Sequence, residues 1–354
     1  MKFWKGKRVL VTGHTGFKGS WLAFWLKLRG ADVCGYSLEP ETDPNLFTSL
    51  GLDTLIESKI GDVRSLDSIE RTFRHFEPEI VFHLAAQSLV RRSYREPVET
   101  YSTNLIGTVN LLEAARKTGL SKAIVFVTTD KVYENEESEL GYSETDRLGG
   151  FDPYSNSKAC AEMAIAAYRN SFFSDGKTLI ASARAGNVVG GGDWSEDRLL
   201  PDVFRSLIFD RRLLIRSPDS TRPWQHALEP LFGYMLLAES LFEGKAEFAG
   251  PWNFGPNENT AGTVRAVLEE IQKNWDRNLE WTIVNGDHLH ETRILRLDSS
   301  RARSQLKWSP TLTFSESLAI TTQWYQGFRN NEDLVKLTRD QIDEYERRQC
   351  ELNH

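Results

Sequence analysis

The chain has 354 residues and a formal charge of −7, with 40% hydrophobic and 26% charged residues. That length suits two lobes, and the composition excludes a disordered, collagen-like or disulfide-stapled chain. An acidic balance, with a sequence pI near 5.7, argues against a nucleic-acid partner.

No run approaches the roughly 18 apolar residues of a membrane span, so no membrane partner is expected. A strand-like run beginning near residue 8 leaves no room for a secretory leader. The three cysteines, Cys34, Cys160 and Cys350, are far apart and odd in number, which fits neither a disulfide framework nor a zinc site. A cytoplasmic location is the expectation. Within the acidic whole, Arg91–Arg92, Arg198, Arg211–Arg212 and Arg222 stand out as local clusters able to hold an anion.

Taken in chain order, the first half alternates two periodicities. Lys7–Thr12 reads as a strand, Trp21–Leu28 as a helix and Asp32–Tyr36 as a strand. Ser65–Phe76 reads as a helix, Glu79–Leu84 as a strand, Val98–Ala115 as a long helix and Ala123–Val127 as a strand. Short apolar runs suit strands buried on both faces, and their alternation with helices predicts a doubly wound parallel sheet.

Beyond Gly190 the pattern is less regular. Leu200–Phe209, His226–Phe242 and Thr263–Asn274 read as helices, and Trp252–Gly255 and Trp281–Val284 as strands. We expect residues 1–187, with roughly 223–257, to form the sheet domain. Roughly 188–222 and 258–354 would form a smaller α/β lobe that binds substrate. The charged tail from Asn330 to His354 reads as a solvated terminal helix.

Between the first strand and first helix lies Thr12-Gly13-His14-Thr15-Gly16-Phe17-Lys18-Gly19. Glycines there let the backbone turn sharply and approach a pyrophosphate, whose charge the helix N-terminus stabilises. Gly13, Thr15, Gly16, Phe17 and Gly19 are therefore candidate dinucleotide contacts in a Rossmann-type fold. The acid expected to bind the adenosine ribose is missing after the second strand, where Ser37 and Glu39 are the available acceptors. No Arg or Lys stands between Arg29 and Lys59 to meet a 2′-phosphate, which favours NAD over NADP. Asp62, followed by Val63, is placed to accept from the adenine amino group or to cap a helix.

Tyr154 and Lys158, four apart, share one face if their segment is helical. A nearby ammonium favours phenolate, and such a tyrosine can take an alcohol proton while the carbon gives up hydride. His83, in an apolar run, reads as a core histidine. Asp287, His288, His290 and Glu291 suggest a metal site only superficially, because they lack the spacing of a helical ligand set, so no metal is expected.

The set TGHTGFKG, Leu84-Ala85-Ala86-Gln87, Asn104 and the Tyr154/Lys158 pair resembles the extended short-chain dehydrogenase/reductase family over nearly the whole chain. Within it, Thr128-Thr129-Asp130-Lys131-Val132-Tyr133 is similar to the S-T-D-E-V-Y segment of nucleotide-sugar 4,6-dehydratases. Lys131 replaces the usual Glu, a pattern of the branch acting on CDP-glucose. Segments 184–194 and 222–226 look like that branch too.

The resemblance implies catalytic NAD and a homodimer or homotetramer. Leu84, Ala85, Ala86 and Asn104 would line the cofactor, and Lys158 would hold the nicotinamide ribose. Thr129 would bind the sugar 4-oxygen, Tyr154 would remove its proton, and Asp130 would protonate the departing 6-hydroxyl. The product would be a 4-keto-6-deoxy sugar for deoxysugar or O-antigen synthesis. An ammonium cannot accept a proton. Lys131 is thus either a neutral amine that takes the C5 proton or a cation beside the enolate with a different base, and its place in the motif favours the base. Ser88, Arg91, Asn187, Arg198, Arg222 and Arg301 are implied around the sugar and diphosphate. Another nucleotide-sugar dehydratase, a 4-epimerase or a non-catalytic NAD sensor are the rival readings. An epimerase needs no elimination pair, and a sensor needs no Tyr–Lys pair.

Overall fold

The computed structural model describes residues 2–136, 140–256, 261–284 and 295–352. Six strands follow the expected alternation: β1 (Arg8–Thr12), β2 (Asp32–Ser37), β3 (Glu57–Ile60), β4 (Ile80–His83), β5 (Ala123–Val127) and β6 (Leu179–Arg184). With the strand Pro251–Asn253 they make one parallel sheet in the order Pro251–Asn253, β6, β5, β4, β1, β2, β3.

Strand pleating sends alternate side chains to opposite faces. Val9, Val11, Phe82, Val125 and Ala181 join one core with Trp21, Trp25 and Leu231. Leu10, Val81, Ile124 and Ile180 join the other with Ile69, Phe73, Leu111 and Ile165. The sheet is covered on both sides, as predicted.

The connection reverses direction between β1 and β4. In such sheets the crevice at the strand carboxyl ends is the place where ligands enter. The turns after β1, β4, β5 and β6 all open there. Val98–Ala115, expected as one helix, is continuous and contains a wide π-helical turn at Ser102–Ile106, between Pro97–Tyr101 and Gly107–Thr118. Such turns recur at functional sites because they re-aim side chains; this one carries Asn104.

Outside the main sheet lie helices Leu199–Phe209, Val264–Asn274 and Phe314–Arg329, and two strand pairs, Leu213–Ile215 with Trp281–Ile283 and Thr221–Pro223 with Ala261–Thr263. The tail is not the solvated helix expected. Leu334–Leu352 docks, burying Thr338, Gln341, Ile342 and Tyr345. Its Glu346 accepts from Trp25 Nε1 and Arg29 Nε, each at 2.6 Å.

Where the tail meets the sheet domain, Glu229 is buried at the start of helix Leu228–Phe242. It accepts from Tyr345 Oη (2.7 Å), Leu312 N (2.7 Å) and Thr311 N (2.8 Å). Burial outweighs these donors and pushes the carboxyl up to about 7. The fold therefore holds this proton more tightly than the unfolded chain. Stability from Glu229 is fully present below the ordinary glutamate value and is lost as pH rises through about 7. Glu229→Gln should flatten the decline in thermal midpoint between pH 5 and 7.5, measured by scanning calorimetry.

Candidate active site

The turn after β1 is shaped by its glycines. Gly13 has φ +76°, and a Cβ there would come within 2.7 Å of Ala85 N. The turn and the segment after β4 are thus in backbone contact. A Cβ on Gly19 would overlap Gly13 O, so the helix Phe17–Leu28 starts tight against the turn. Gly16 caps that helix in extended conformation, leaving the first amides of Phe17–Leu28 without intrahelical acceptors and facing the crevice, the arrangement that binds a pyrophosphate.

Thr15 Oγ1 meets Ser37 Oγ at 2.8 Å and Leu38 O at 2.9 Å, tying the turn to the end of β2. Ser37 is thus held against the glycine turn, whereas Glu39 lies beyond that link. Asp62 follows β3 next to Val63, but Arg64 engages both its oxygens (N to Oδ1 2.8 Å, Nη2 to Oδ2 2.5 Å). The guanidinium holds that carboxyl below the usual aspartate range.

Leu84, Ala85 and Ala86 follow β4 beside the turn, with Ala85 N donating to Thr12 Oγ1 at 3.2 Å. His83 is a core residue as expected. Its ring lies between Thr12 Oγ1 (2.8 Å) and Thr108 Oγ1 (3.3 Å), and burial pushes it down to about 3. Asn104 is committed to the protein itself. It accepts from Gln87 N (2.9 Å) and donates to Gln87 O (3.0 Å) and Ser157 Oγ (2.9 Å). It fixes the Ala-Ala-Gln turn against helix Pro153–Phe172 and positions cofactor-lining backbone rather than presenting its own amide.

That helix begins with Asp152 capping Ser155 N at 3.0 Å, with proline at its first position. Tyr154 and Lys158 lie buried on one face of it. Lys158 Nζ donates to Val127 O at 3.1 Å, and burial lowers its ammonium to about 8. Burial pushes Tyr154 up to about 12, opposed by a hydrogen bond with Thr129 and by the Arg198 charge.

Thr129, Asp130 and Lys131 form the turn that follows β5. Thr129 Oγ1 donates to Asp130 Oδ1 at 3.0 Å, and Lys131 Nζ stands 3.5 Å from the same oxygen. Asp130 is 1% exposed. The absent side chain of Gly186 makes its room, because a Cβ there would overlap the carboxylate.

The anion-binding candidates divide. Arg198 bridges the crevice mouth, donating to Ser88 Oγ (3.0 Å) and to Asp193 Oδ2 (3.3 Å). Asn187, after β6, holds φ +44°, a strained conformation of the kind stored at functional sites. Arg91 opens the helix Val90–Arg95 near Ser88, and Arg222 sits on the small-lobe strand Thr221–Pro223. Arg301 lies at the edge strand of the sheet. Its guanidinium stacks 4.0 Å over Trp252 and donates to Pro251 O (2.9 Å), a residue level with Ser182 in the carboxyl-terminal half of β6. Asp287, His288, His290 and Glu291 lie outside the described residues. Among the described ones, no His/Cys/Asp/Glu group is placed to hold a metal.

The GDP-mannose 4,6 dehydratase family model matches residues 10–321. The chain belongs to that family. It is 47% identical to the CDP-glucose 4,6-dehydratase of Salmonella typhimurium, over 97% of each chain. Among solved structures it is similar to the UDP-glucose 4-epimerase of Thermus thermophilus in complex with NAD (25% identity, TM-score 0.76, 90% of this chain and 99% of that one). The fold is also that of a dTDP-glucose 4,6-dehydratase from Bacillus anthracis (23% identity, TM-score 0.75, 94% and 100% covered).

Two residues of this family member escaped the sequence reading. Lys18, used there only as a spacer between glycines, is close enough to Lys158, Arg198 and Asp130 to feel their charges, and burial lowers it to about 7. Tyr234 lies beneath, its ring 5.7 Å from Lys18 Nζ. It comes from helix Leu228–Phe242, and no local motif marks it. Because the first turn has no spare volume, Gly19→Ala should cost about 2 kcal/mol or more, as overpacking does. The readout is a thermal midpoint several degrees below the unmodified protein.

Proposed function

We propose that the chain is an NAD-dependent CDP-glucose 4,6-dehydratase, a hydro-lyase forming CDP-4-keto-6-deoxyglucose. The observation that carries this reading is the contact of Asp130 with Lys131 next to Tyr154, in a chain 47% identical to an enzyme of that name. A 4-epimerase would need Tyr154 and Lys158 but no acid–base pair beside them. The dinucleotide fits the residues present. The Gly13 turn would take the pyrophosphate, with Thr15, Gly16, Phe17 and Gly19 shaping it. Ser37 would hold the ribose, Asp62 and Val63 the adenine side, and Lys158 the nicotinamide ribose. NAD, when bound, supplies the hydride acceptor for C4 and the donor for C6.

The chain's own side chains move the protons. Tyr154 takes the 4-hydroxyl proton, with Thr129 beside that oxygen. Because burial keeps the free phenol protonated, binding a cationic ring nearby is what makes the phenolate accessible. Lys131, as the neutral amine, takes the proton from C5, acidified by the 4-ketone. Asp130, as the acid, gives its proton to the departing 6-hydroxyl. Ser88, Arg91, Asn187, Arg198 and Arg222 surround the sugar and diphosphate, and Arg198 exchanges its protein partners for phosphate oxygens.

Residues 1–187 and 223–257 serve the cofactor, and 188–222 with 258–333 the sugar nucleotide. Exposed Val98, Ile106 and Met163 on helices beside the sheet support a homodimer or a pair of dimers. No helix among the described residues is long and apolar enough to cross a membrane; with a nucleotide-sugar substrate, we assign the cytoplasm and a role in deoxysugar synthesis.

Incubation with CDP-glucose and NAD should yield a keto sugar absorbing in alkali. Recovery of only the 4-epimer would overturn the dehydratase reading. Tyr154→Phe should lower turnover at least about 10²-fold with NAD binding retained in calorimetry. In single turnovers, Asp130→Asn and Lys131→Ala should both accumulate persistent NADH absorbance. In D₂O, only Lys131→Ala should fail to exchange deuterium into C5; exchange at the unmodified rate would assign the base elsewhere.

A further inference from the structure

Following the protons of the proposed reaction exposes an imbalance within the site. Tyr154 begins as phenolate and gains the proton of the 4-hydroxyl. Asp130 gives its proton to the 6-hydroxyl, which leaves as water with the C6–O electron pair. Lys131 takes the C5 proton, the C5–H electrons forming the C5–C6 double bond. When hydride arrives at C6, Lys131 returns a proton to C5. The substrate has then lost one water and nothing else. The protein, however, ends with Tyr154 holding one proton too many and Asp130 one too few. A second turnover requires that proton to travel from Tyr154 to Asp130.

The groups for such a path already stand together. Thr129 is close enough to Tyr154 to oppose the effect of burial on its phenol, Thr129 Oγ1 donates its single proton to Asp130 Oδ1 at 3.0 Å, and Lys131 Nζ lies 3.5 Å from that oxygen. With the Thr129 proton pointed at Asp130, its oxygen is left to accept from Tyr154. The chain of donors therefore runs in the needed direction, from phenol to carboxylate. Thr129 and Asp130 are 4% and 1% exposed and Tyr154 is 8%, so bulk water has little access to the two ends of the transfer. Lys131, with a side chain 29% exposed, is the open end.

We infer that Thr129 is a proton relay that recharges Asp130 from Tyr154 at the end of each cycle. The O–H bond of Thr129 breaks as its proton joins Asp130 Oδ1, and a new one forms with the proton of Tyr154. No oxidant, reductant or external acid takes part. This inference rests on the dehydratase reading and goes beyond binding of the 4-oxygen by Thr129, since a hydroxyl that only binds that oxygen is used once and equally in every turnover.

The test compares the first turnover with later ones. Thr129→Val keeps the shape and removes the hydroxyl, whereas Thr129→Ser keeps it. Rapid-quench measurement on the NAD-loaded Val variant should give a burst of keto sugar matching the active sites. A steady rate at least about 10-fold slower than the burst should follow, within the range that proton-transfer groups contribute. Imidazole, a small proton carrier, should raise that steady rate and leave the burst unchanged. Thr129→Ser should show neither burst nor imidazole response. The inference fails if the Val variant slows first and later turnovers alike, or if its steady rate ignores imidazole. Thr129→Ala carries the same expectations and serves if calorimetry finds NAD binding lost in the Val variant. Should the unmodified protein leave CDP-glucose unchanged, it is the dehydratase reading that falls; active unmodified protein with a burst-free Val variant removes the relay alone.

Discussion

Removing the Asp130 carboxylate from water is costly unless other groups replace the water. Thr129 and Lys131 contact the carboxylate directly, Lys18 feels its charge, and Gly186 yields the space it fills. The same crowding that raises Tyr154 and lowers Lys158 and Lys18 makes each protonation state depend on its neighbours. A ligand that brings or removes charge therefore resets several groups together. Chemistry that needs an acid, a base and a phenolate within one cavity is possible because no member of the set is independent.

The sheet delivers these groups to one place. Parallel strands share a carboxyl edge, so turns separated by more than 50 residues in sequence converge without long excursions. Backbone contact between the Gly13 turn and Ala85 joins the cofactor side to the segment that ends at Ser88. From Ser88, Arg198 reaches across to the loop after β6. The segment after β6 is thereby tied to the segment after β4 through an arginine and a hydroxyl.

The strands β1, β2, β4 and β5 were legible because strands buried on both faces are unbroken apolar runs. β6 was not, since Ser182 and Arg184 interrupt it. Both are buried and satisfied by Glu162 from helix Pro153–Phe172, a partner that only the fold supplies. Helix Phe314–Arg329 also went unread, and the docked tail was misjudged because its buried face includes Thr338 and Gln341 as well as apolar residues. In the site, Tyr154, Lys158 and the Thr129–Lys131 segment were legible from local spacing. The surroundings of Arg301 were not, because only the fold brings its guanidinium to the Trp252 ring and to the carbonyls of Glu247 and Pro251. The partners of Asn104 were not legible either, since only the fold brings its amide to Gln87 and Ser157.

Trp25 and Arg29, on the helix that opens the cofactor site, bond to Glu346, 321 and 317 residues later. On a ribosome, that helix emerges more than 300 residues ahead of its final partner. Until then the first helix presents Trp25 with its indole donor unanswered and its ring short of Tyr345, which it meets edge-on at 5.8 Å. Contacts of such separation are slow to form and leave apolar surface open to wrong partners meanwhile. Synthesis of this chain thus leaves the helix exposed for as long as those intervening residues take to be made.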